Sequence, residues 1–191
     1  LRISGNYPWQ DQVTIEITSP VPVTHTLALR LPDWCAEPAV SLNGERVTGE
    51  VVRGYLYLNR CWHEGDTLTL TLPMPVRRVY GNPQVRQQAG KVALQRGPLV
   101  YCLEEADNGA NLHNLSLPEN SAFRVFEGKG IFAHKMLIQA EGSGYHAKDT
   151  DALWQYDRSP VQRQPQTLTF IPWFSWANRG EGEMRIWVDE G

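Results

Sequence analysis

Apolar and polar residues alternate along most of this chain with a period of two. Val13, Ile15 and Ile17 interleave with Thr14, Glu16 and Thr18; Leu27, Leu29 and Leu31 with Ala28 and Arg30; Leu68, Leu70 and Leu72 with Thr67, Thr69 and Thr71. In extended backbone successive side chains point to opposite faces, so each run offers one face to a core and the other to water. The enrichment in β-branched and aromatic residues fits the same reading. No stretch holds a 3.6-residue period beyond two turns.

Turn residues fall between the runs. Asn43-Gly44 sits between Val40-Ser41-Leu42 and Glu45-Arg46-Val47, where it supplies the two positive-φ positions of a type I′ hairpin. Glu64-Gly65-Asp66 is a second turn, ahead of the Leu68 run. Short strands punctuated every 8–12 residues predict a sandwich or barrel. Pro73-Met74-Pro75 closes a first module, because proline interrupts ladder pairing. Further strands are expected over 91–94, 99–103, 123–126, 135–140, 167–171 and 184–188, with a long polar surface loop from Gly142 to Gln166. The fold class expected is all-β: two tandem antiparallel β-sandwich modules of jelly-roll or immunoglobulin-like type. They take in residues 1–78 and 79–191, with the connection over Val76–Asn82.

The chain has 191 residues, is 41% hydrophobic and 20% charged, and carries a formal net charge of −3. That composition suits a globular domain and lacks the clustered basic surface a nucleic-acid partner requires. No run of about 18 apolar residues predicts a membrane span. The chain opens at Leu1 without a methionine and reads as a piece of something longer, with Leu1-Arg2-Ile3 already strand-like. Cys35, Cys61 and Cys102 fit no zinc spacing and are expected to be buried, reduced thiols, with a Cys35–Cys61 contact as a further option. They lean towards a reducing, cytoplasmic bacterial setting.

Three stretches carry a resemblance. The first runs from Leu31-Pro32-Asp33-Trp34-Cys35 through the Leu42-Asn43-Gly44 hairpin to Gly54-Tyr55-Leu56-Tyr57-Leu58-Asn59-Arg60-Cys61-Trp62 and Gly65-Asp66. The second is Pro73-Met74-Pro75-Val76-Arg77-Arg78-Val79, then Gly90-Lys91-Val92-Ala93-Leu94-Gln95-Arg96-Gly97-Pro98-Leu99-Val100-Tyr101-Cys102-Leu103-Glu104. The third is Ile171-Pro172-Trp173-Phe174-Ser175-Trp176-Ala177-Asn178-Arg179-Gly180, closing with Gly182-Glu183-Met184-Arg185-Ile186-Trp187. Together they resemble the middle and C-terminal β-sandwich region of glycoside hydrolase family 127, whose members are β-L-arabinofuranosidases. The resemblance implies an upstream (α/α)₆ barrel that holds a cysteine nucleophile in a zinc-thiolate cluster and a glutamate acid/base, and retaining hydrolysis by the whole enzyme. This chain has no Cys-Cys pair and no Glu-x-Cys, so no catalytic residue carries over and no cofactor is expected in it; zinc belongs to the barrel.

Read by their chemistry, the remaining polar residues are modest. Glu104 and Glu105 point to opposite strand faces, and Glu181 and Glu183 flank a turn at Gly182; all four are expected to be solvated charges. His25, His63, His113, His134 and His146 are scattered, and no G-x-S-x-G elbow occurs. Trp173-Phe174-Ser175-Trp176, read as a strand, puts Trp173 and Ser175 on one face and Phe174 and Trp176 on the other. It is either a sugar-stacking platform with Asn178 and Arg179 as hydrogen-bonding partners, or core and domain interface. Arg96, before Gly97-Pro98, is either a contact to the barrel or part of a surface turn. The function expected is an accessory region that braces the barrel and helps oligomer contacts. An independent carbohydrate-binding module, with an aromatic row around Trp173, Trp176 or Tyr145, is the alternative. The partners expected are the barrel, a second copy in a homodimer, and an arabinose-containing glycan.

Overall fold

The computed structural model describes residues 1–145 and 163–191. It divides into two compact units, Leu1–Pro75 and Val76–Gly191. The first is built of β1 (Arg2–Gly5), β2 (Gln12–Glu16), β3 (Val23–Arg30), β4 (Ala39–Leu42), β5 (Glu45–Arg46), β6 (Glu50–Val52), β7 (Tyr55–Trp62) and β8 (Thr67–Thr71). They form a five-stranded sheet, β1-β2-β8-β4-β5, and a three-stranded sheet, β3-β7-β6. All pairings here are antiparallel. The inward positions of both sheets share one core, with Ile15, Ile17, Val40, Leu42, Leu68, Leu70 and Leu72 meeting Leu29, Leu56, Leu58 and Trp62. This unit is therefore a β-sandwich. Trp62 has no exposed surface, and its indole N–H donates to the His25 carbonyl at 3.0 Å, so its one polar atom is satisfied in the core.

The alternation seen in the sequence explains this burial residue by residue. In β7, Leu56, Leu58 and Trp62 point inward while Tyr55, Tyr57, Asn59 and Cys61 point out. Cys61 is accordingly exposed, which corrects the expectation of three buried thiols; Cys35 and Cys102 are buried and all three are free. The Asn43-Gly44 hairpin forms as expected, with φ of 52° and 86° at its two residues.

The second unit contains β9 (Val76–Tyr80), β10 (Lys91–Arg96), β11 (Leu99–Glu104), the short helix α1 (Glu105–Asn108), β12 (Leu115–Leu117), β13 (Phe123–Glu127), β14 (Met136–Tyr145), β15 (Arg163–Pro172), β16 (Met184–Arg185) and β17 (Val188–Glu190). The sheet order is β16-β11-β15-β14-β12-β17-β10-β9, with β13 on β14 and a further β10–β11 pairing. On the edge of β10 away from β9, residues 91–92 pair with β17 and residues 94–96 with β11. The pairings thus close into a ring of six strands around a core of Val92, Leu94, Tyr101, Leu103, Leu117, Ile138, Leu168 and Phe170. Closure leaves few open edges, a standard solution for an all-β unit. One strand pair, β12 with β17, is parallel; the others are antiparallel.

Besides β12, α1 and the division of the expected 184–188 strand into β16 and β17, three elements differ from the sequence expectation. Val76–Tyr80, assigned to the connection, is strand β9, tied down where Arg78 donates to the Glu190 carboxylate at 3.1 Å. The long loop expected from Gly142 to Gln166 is strand at both ends, with Gly142 opposite Gln166 and Tyr145 opposite Arg163; residues 146–162, His146 among them, lie outside the described residues. Ladder bonds use backbone groups only, so a polar run can extend a strand. Gly142 is needed there because a Cβ would stand 2.4 Å from Leu168 and 2.7 Å from the Ser116 carbonyl. Finally, Trp173–Ser175 is a 3₁₀ turn. Pro172 has no N–H with which to continue the ladder, and the chain turns immediately after it.

Candidate functional site

The 3₁₀ turn changes which side chains share a surface. Trp173 is 52% exposed, Phe174 55% and Trp176 38%, whereas Ser175 is buried. A strand would have sent Trp173 to the face opposite Phe174 and Trp176. The turn instead puts the exposed ones on one outward corner, closed by the Trp176 N–H donating to the Trp173 carbonyl. The Asn178 amide donates to the carbonyls of Ser175 and Trp176 at 2.9 and 3.3 Å, so its donors serve the loop's own backbone.

Beneath this corner lies an ion network. Arg179 Nε donates to Glu104 Oε2 at 2.9 Å, and Nη1 donates to Asp107 Oδ1 at 2.8 Å, while Nη2 contacts both carboxylates. Its guanidinium also stands 4.7 Å from the centre of the Phe132 ring. Glu104 Oε1 accepts the Ala177 N–H at 3.1 Å. The hydrogen bond to Asp107 holds the Arg179 guanidinium above its ordinary pKa, against an opposing effect of desolvation, so it is a permanent cation. Glu104, at the end of β11, is thereby joined to a loop 75 residues further along the chain.

This corrects the expectation of a solvated charge for Glu104, whereas Glu181 and Glu183 are exposed and Glu105 is half-buried. Glu104 is only 5% exposed and is a counter-ion of Arg179. Glu183 accepts the Leu112 N–H at 2.7 Å, and Glu105 accepts the Glu183 N–H at 2.8 Å. A buried carboxylate at a strand end must have a partner, and Glu104 has two, Arg179 and the Ala177 amide. Glu104, Glu181 and Glu183 border an open cavity of about 460 Å³ with Trp176, but both oxygens of Glu104 and Oε2 of Glu183 are already bonded to arginine or backbone amides. They fasten loops. Among the described residues no group of three His, Cys, Asp or Glu side chains is arranged to hold a metal ion. Below the network Cys102 is wholly buried, and desolvation pushes its thiol up to about 12.

The family profile for the "Glycoside hydrolase family 127 C-terminal domain" matches residues 76–189, and that for the "Beta-L-arabinofuranosidase, GH127 middle domain" matches residues 1–74. The chain belongs to glycoside hydrolase family 127. It is 34% identical to the "Non-reducing end beta-L-arabinofuranosidase" of Bifidobacterium longum subsp. longum, over 95% of this chain and 29% of that protein. It superposes with a TM-score of 0.87 and 39% identity on a GH127 β-L-arabinofuranosidase from Geobacillus stearothermophilus T6, covering 99% of this chain and 30% of that one. A second GH127 β-arabinofuranosidase gives a TM-score of 0.86 at 30% identity, covering 99% and 31%. The chain therefore spans about 30% of the length of these GH127 relatives.

Of the residues singled out in the sequence, Trp173, Trp176, Asn178 and Arg179 come together at this corner of the GH127 C-terminal domain. Arg96 belongs elsewhere, at the end of β10 opposite Val76 and Leu99. It approaches the Tyr101 hydroxyl, which burial pushes up to about 12 against the pull of the guanidinium, and which donates to the Met136 carbonyl at 2.9 Å. Asp107 and Phe132 were not singled out. Each is 40 or more residues from Arg179 in sequence, and neither lies in a recognisable motif. No helix among the described residues is long and apolar enough to cross a membrane.

Proposed function

We propose that this chain is the non-catalytic accessory region of a β-L-arabinofuranosidase, bracing an (α/α)₆ barrel contributed by the rest of the polypeptide and helping its oligomer contacts. The observation that carries this reading is the aromatic corner. Three partly exposed rings, Phe174 with the Lys135 ammonium 5.9 Å from its centre, sit on a loop tied to Glu104 and Asp107 by the partly buried Arg179, an arrangement that suits a docking surface better than a reaction centre. The relatives' names supply the activity, and the chain's share of their length leaves room for a separate catalytic domain. Zinc, if used, is held by that other domain.

The test uses the intact parent protein with Trp173→Ser, Phe174→Ser and Trp176→Ser combined. Loss of heat stability and of aryl β-L-arabinofuranoside hydrolysis together supports bracing; a parent unchanged in both overturns it. The same exposed rings favour one second reading, a carbohydrate-binding module. That reading predicts that the triple variant leaves the parent's melting unchanged and weakens its retention on arabinan.

A further inference from the structure

A second concave site lies away from the aromatic corner. It is a cavity of about 490 Å³ between the loop after α1 and the ends of β14 and β15, lined by Asn108, Asn111, Asn114, Leu115, Tyr145 and Gln166 among others. This volume is in the range of small-molecule sites, roughly 300–1,000 Å³. Among the described residues its lining has no Asp, Glu, Lys, Arg or His, and the Arg163 guanidinium stands 4.8 Å from the centre of the Tyr145 ring.

What it does offer is unspent amide chemistry on a stiff frame. The Asn111 and Asn114 side chains make no hydrogen bond among the described residues, and the Gln166 carbonyl oxygen makes none either. The frame is set by Asn108, which is 6% exposed. It donates to the carbonyls of Glu104 and Thr169 and accepts the Thr169 N–H, all within 2.8–2.9 Å. Gln166 Nε2 donates to the Asn108 carbonyl at 2.8 Å. Asn111 has a left-handed backbone, φ 62°, and its carbonyl accepts the Asn114 N–H at 2.9 Å. On the other wall Tyr145, 37% exposed, is steadied by Arg163, whose Nε donates to its hydroxyl at 2.8 Å.

Amides both donate and accept, as sugar hydroxyls do, and a tyrosine ring suits the C–H face of a sugar. We infer that this cavity binds a neutral monosaccharide unit through the Asn111 and Asn114 amides, with Tyr145 as its apolar wall. The inference does not depend on the bracing role and would survive its failure. A single small ring held this way binds weakly, with Kd on the order of 1 mM.

The test is ligand-observed saturation-transfer NMR on the 191-residue chain with L-arabinose, and with D-glucuronate as a charged comparison, up to about 50 mM. Expected is saturable transfer to L-arabinose, at least tenfold weaker for D-glucuronate, and lowered at least tenfold by Asn111→Ala with Asn114→Ala. Circular dichroism of the double variant, and Tyr145→Ala as a separate variant, keep unfolding from passing as loss of the site. The idea is overturned by no transfer at about 50 mM, by transfer that survives both variants, or by transfer removed only by Trp173→Ser with Trp176→Ser.

Discussion

Replacing Arg179 with methionine removes the cation that Glu104 and Asp107 share. The three side chains keep 24%, 7% and 21% of their surface, so the cluster lies between an exposed pair, worth roughly 0.2–1 kcal/mol, and a buried one, whose breakage costs roughly 3–5 kcal/mol. Asp107 can regain water, but Glu104 is left buried with only the Ala177 amide as donor. We place the cost of Arg179→Met at about 2–4 kcal/mol, dominated by the stranded Glu104 carboxylate. For a unit spanning Val76–Gly191 this corresponds to a melting point lower by roughly 10 °C. Urea unfolding followed by far-ultraviolet circular dichroism measures it, together with Glu104→Gln alone and the Arg179→Met, Glu104→Gln double variant. Neutralising Glu104 in the absence of Arg179 should restore part of the loss, so the two changes are non-additive by at least about 1 kcal/mol. A loss under about 1 kcal/mol for Arg179→Met, or strict additivity, would refute the claim that the network fastens the aromatic loop.

Three other outcomes are expected. Asp66 accepts the His63 amide and the Asn43 side chain, and these bonds, the backbone one foremost, hold its carboxyl below the usual 3.8. A depressed folded pKa gives stability that is present above the ordinary value and lost as pH falls through the lowered one, so Asp66→Asn should flatten the acid limb of the first unit's unfolding curve, at a cost near pH 7 of about 1 kcal/mol or less. With an aromatic disulfide reagent at neutral pH, Cys61 should react at once and Cys35 and Cys102 only on unfolding, because both are buried and the Cys102 thiol is pushed up to about 12; fast reaction of all three would contradict that placement. Gly142→Ala should destabilise the second unit by roughly 1–3 kcal/mol in thermal unfolding, since the new methyl meets Leu168 and the Ser116 carbonyl.

The legible parts of this fold are those governed by neighbours in sequence. Alternation placed Ile15, Leu29, Leu68 and Leu70 in the core, and Asn43-Gly44 fixed a hairpin, because strand parity and turn chemistry act over two to four residues. What could not be read depends on distant residues. The β12–β17 parallel pair joins Ser116 to Asp189, and the closure through β10 depends on which strands meet across the whole unit. At the site, four side chains of the aromatic corner were visible as a cluster of unusual residues. Their arrangement was not, because the chain leaves β15 at Pro172 and forms a 3₁₀ turn over residues whose sequence also suits a strand. Nor was the burial of Glu104 visible: a glutamate at a strand end is ordinarily solvated, and its partner Arg179 lies 75 residues away.

The central claim is that this chain supports a reaction it does not perform. Initial-rate measurement on an aryl β-L-arabinofuranoside, comparing the 191-residue chain with the intact parent at equal concentration, tests it most directly. The account predicts hydrolysis by the parent and none above the buffer blank from the chain alone. Turnover by the chain that disappears in Glu104→Gln would contradict it.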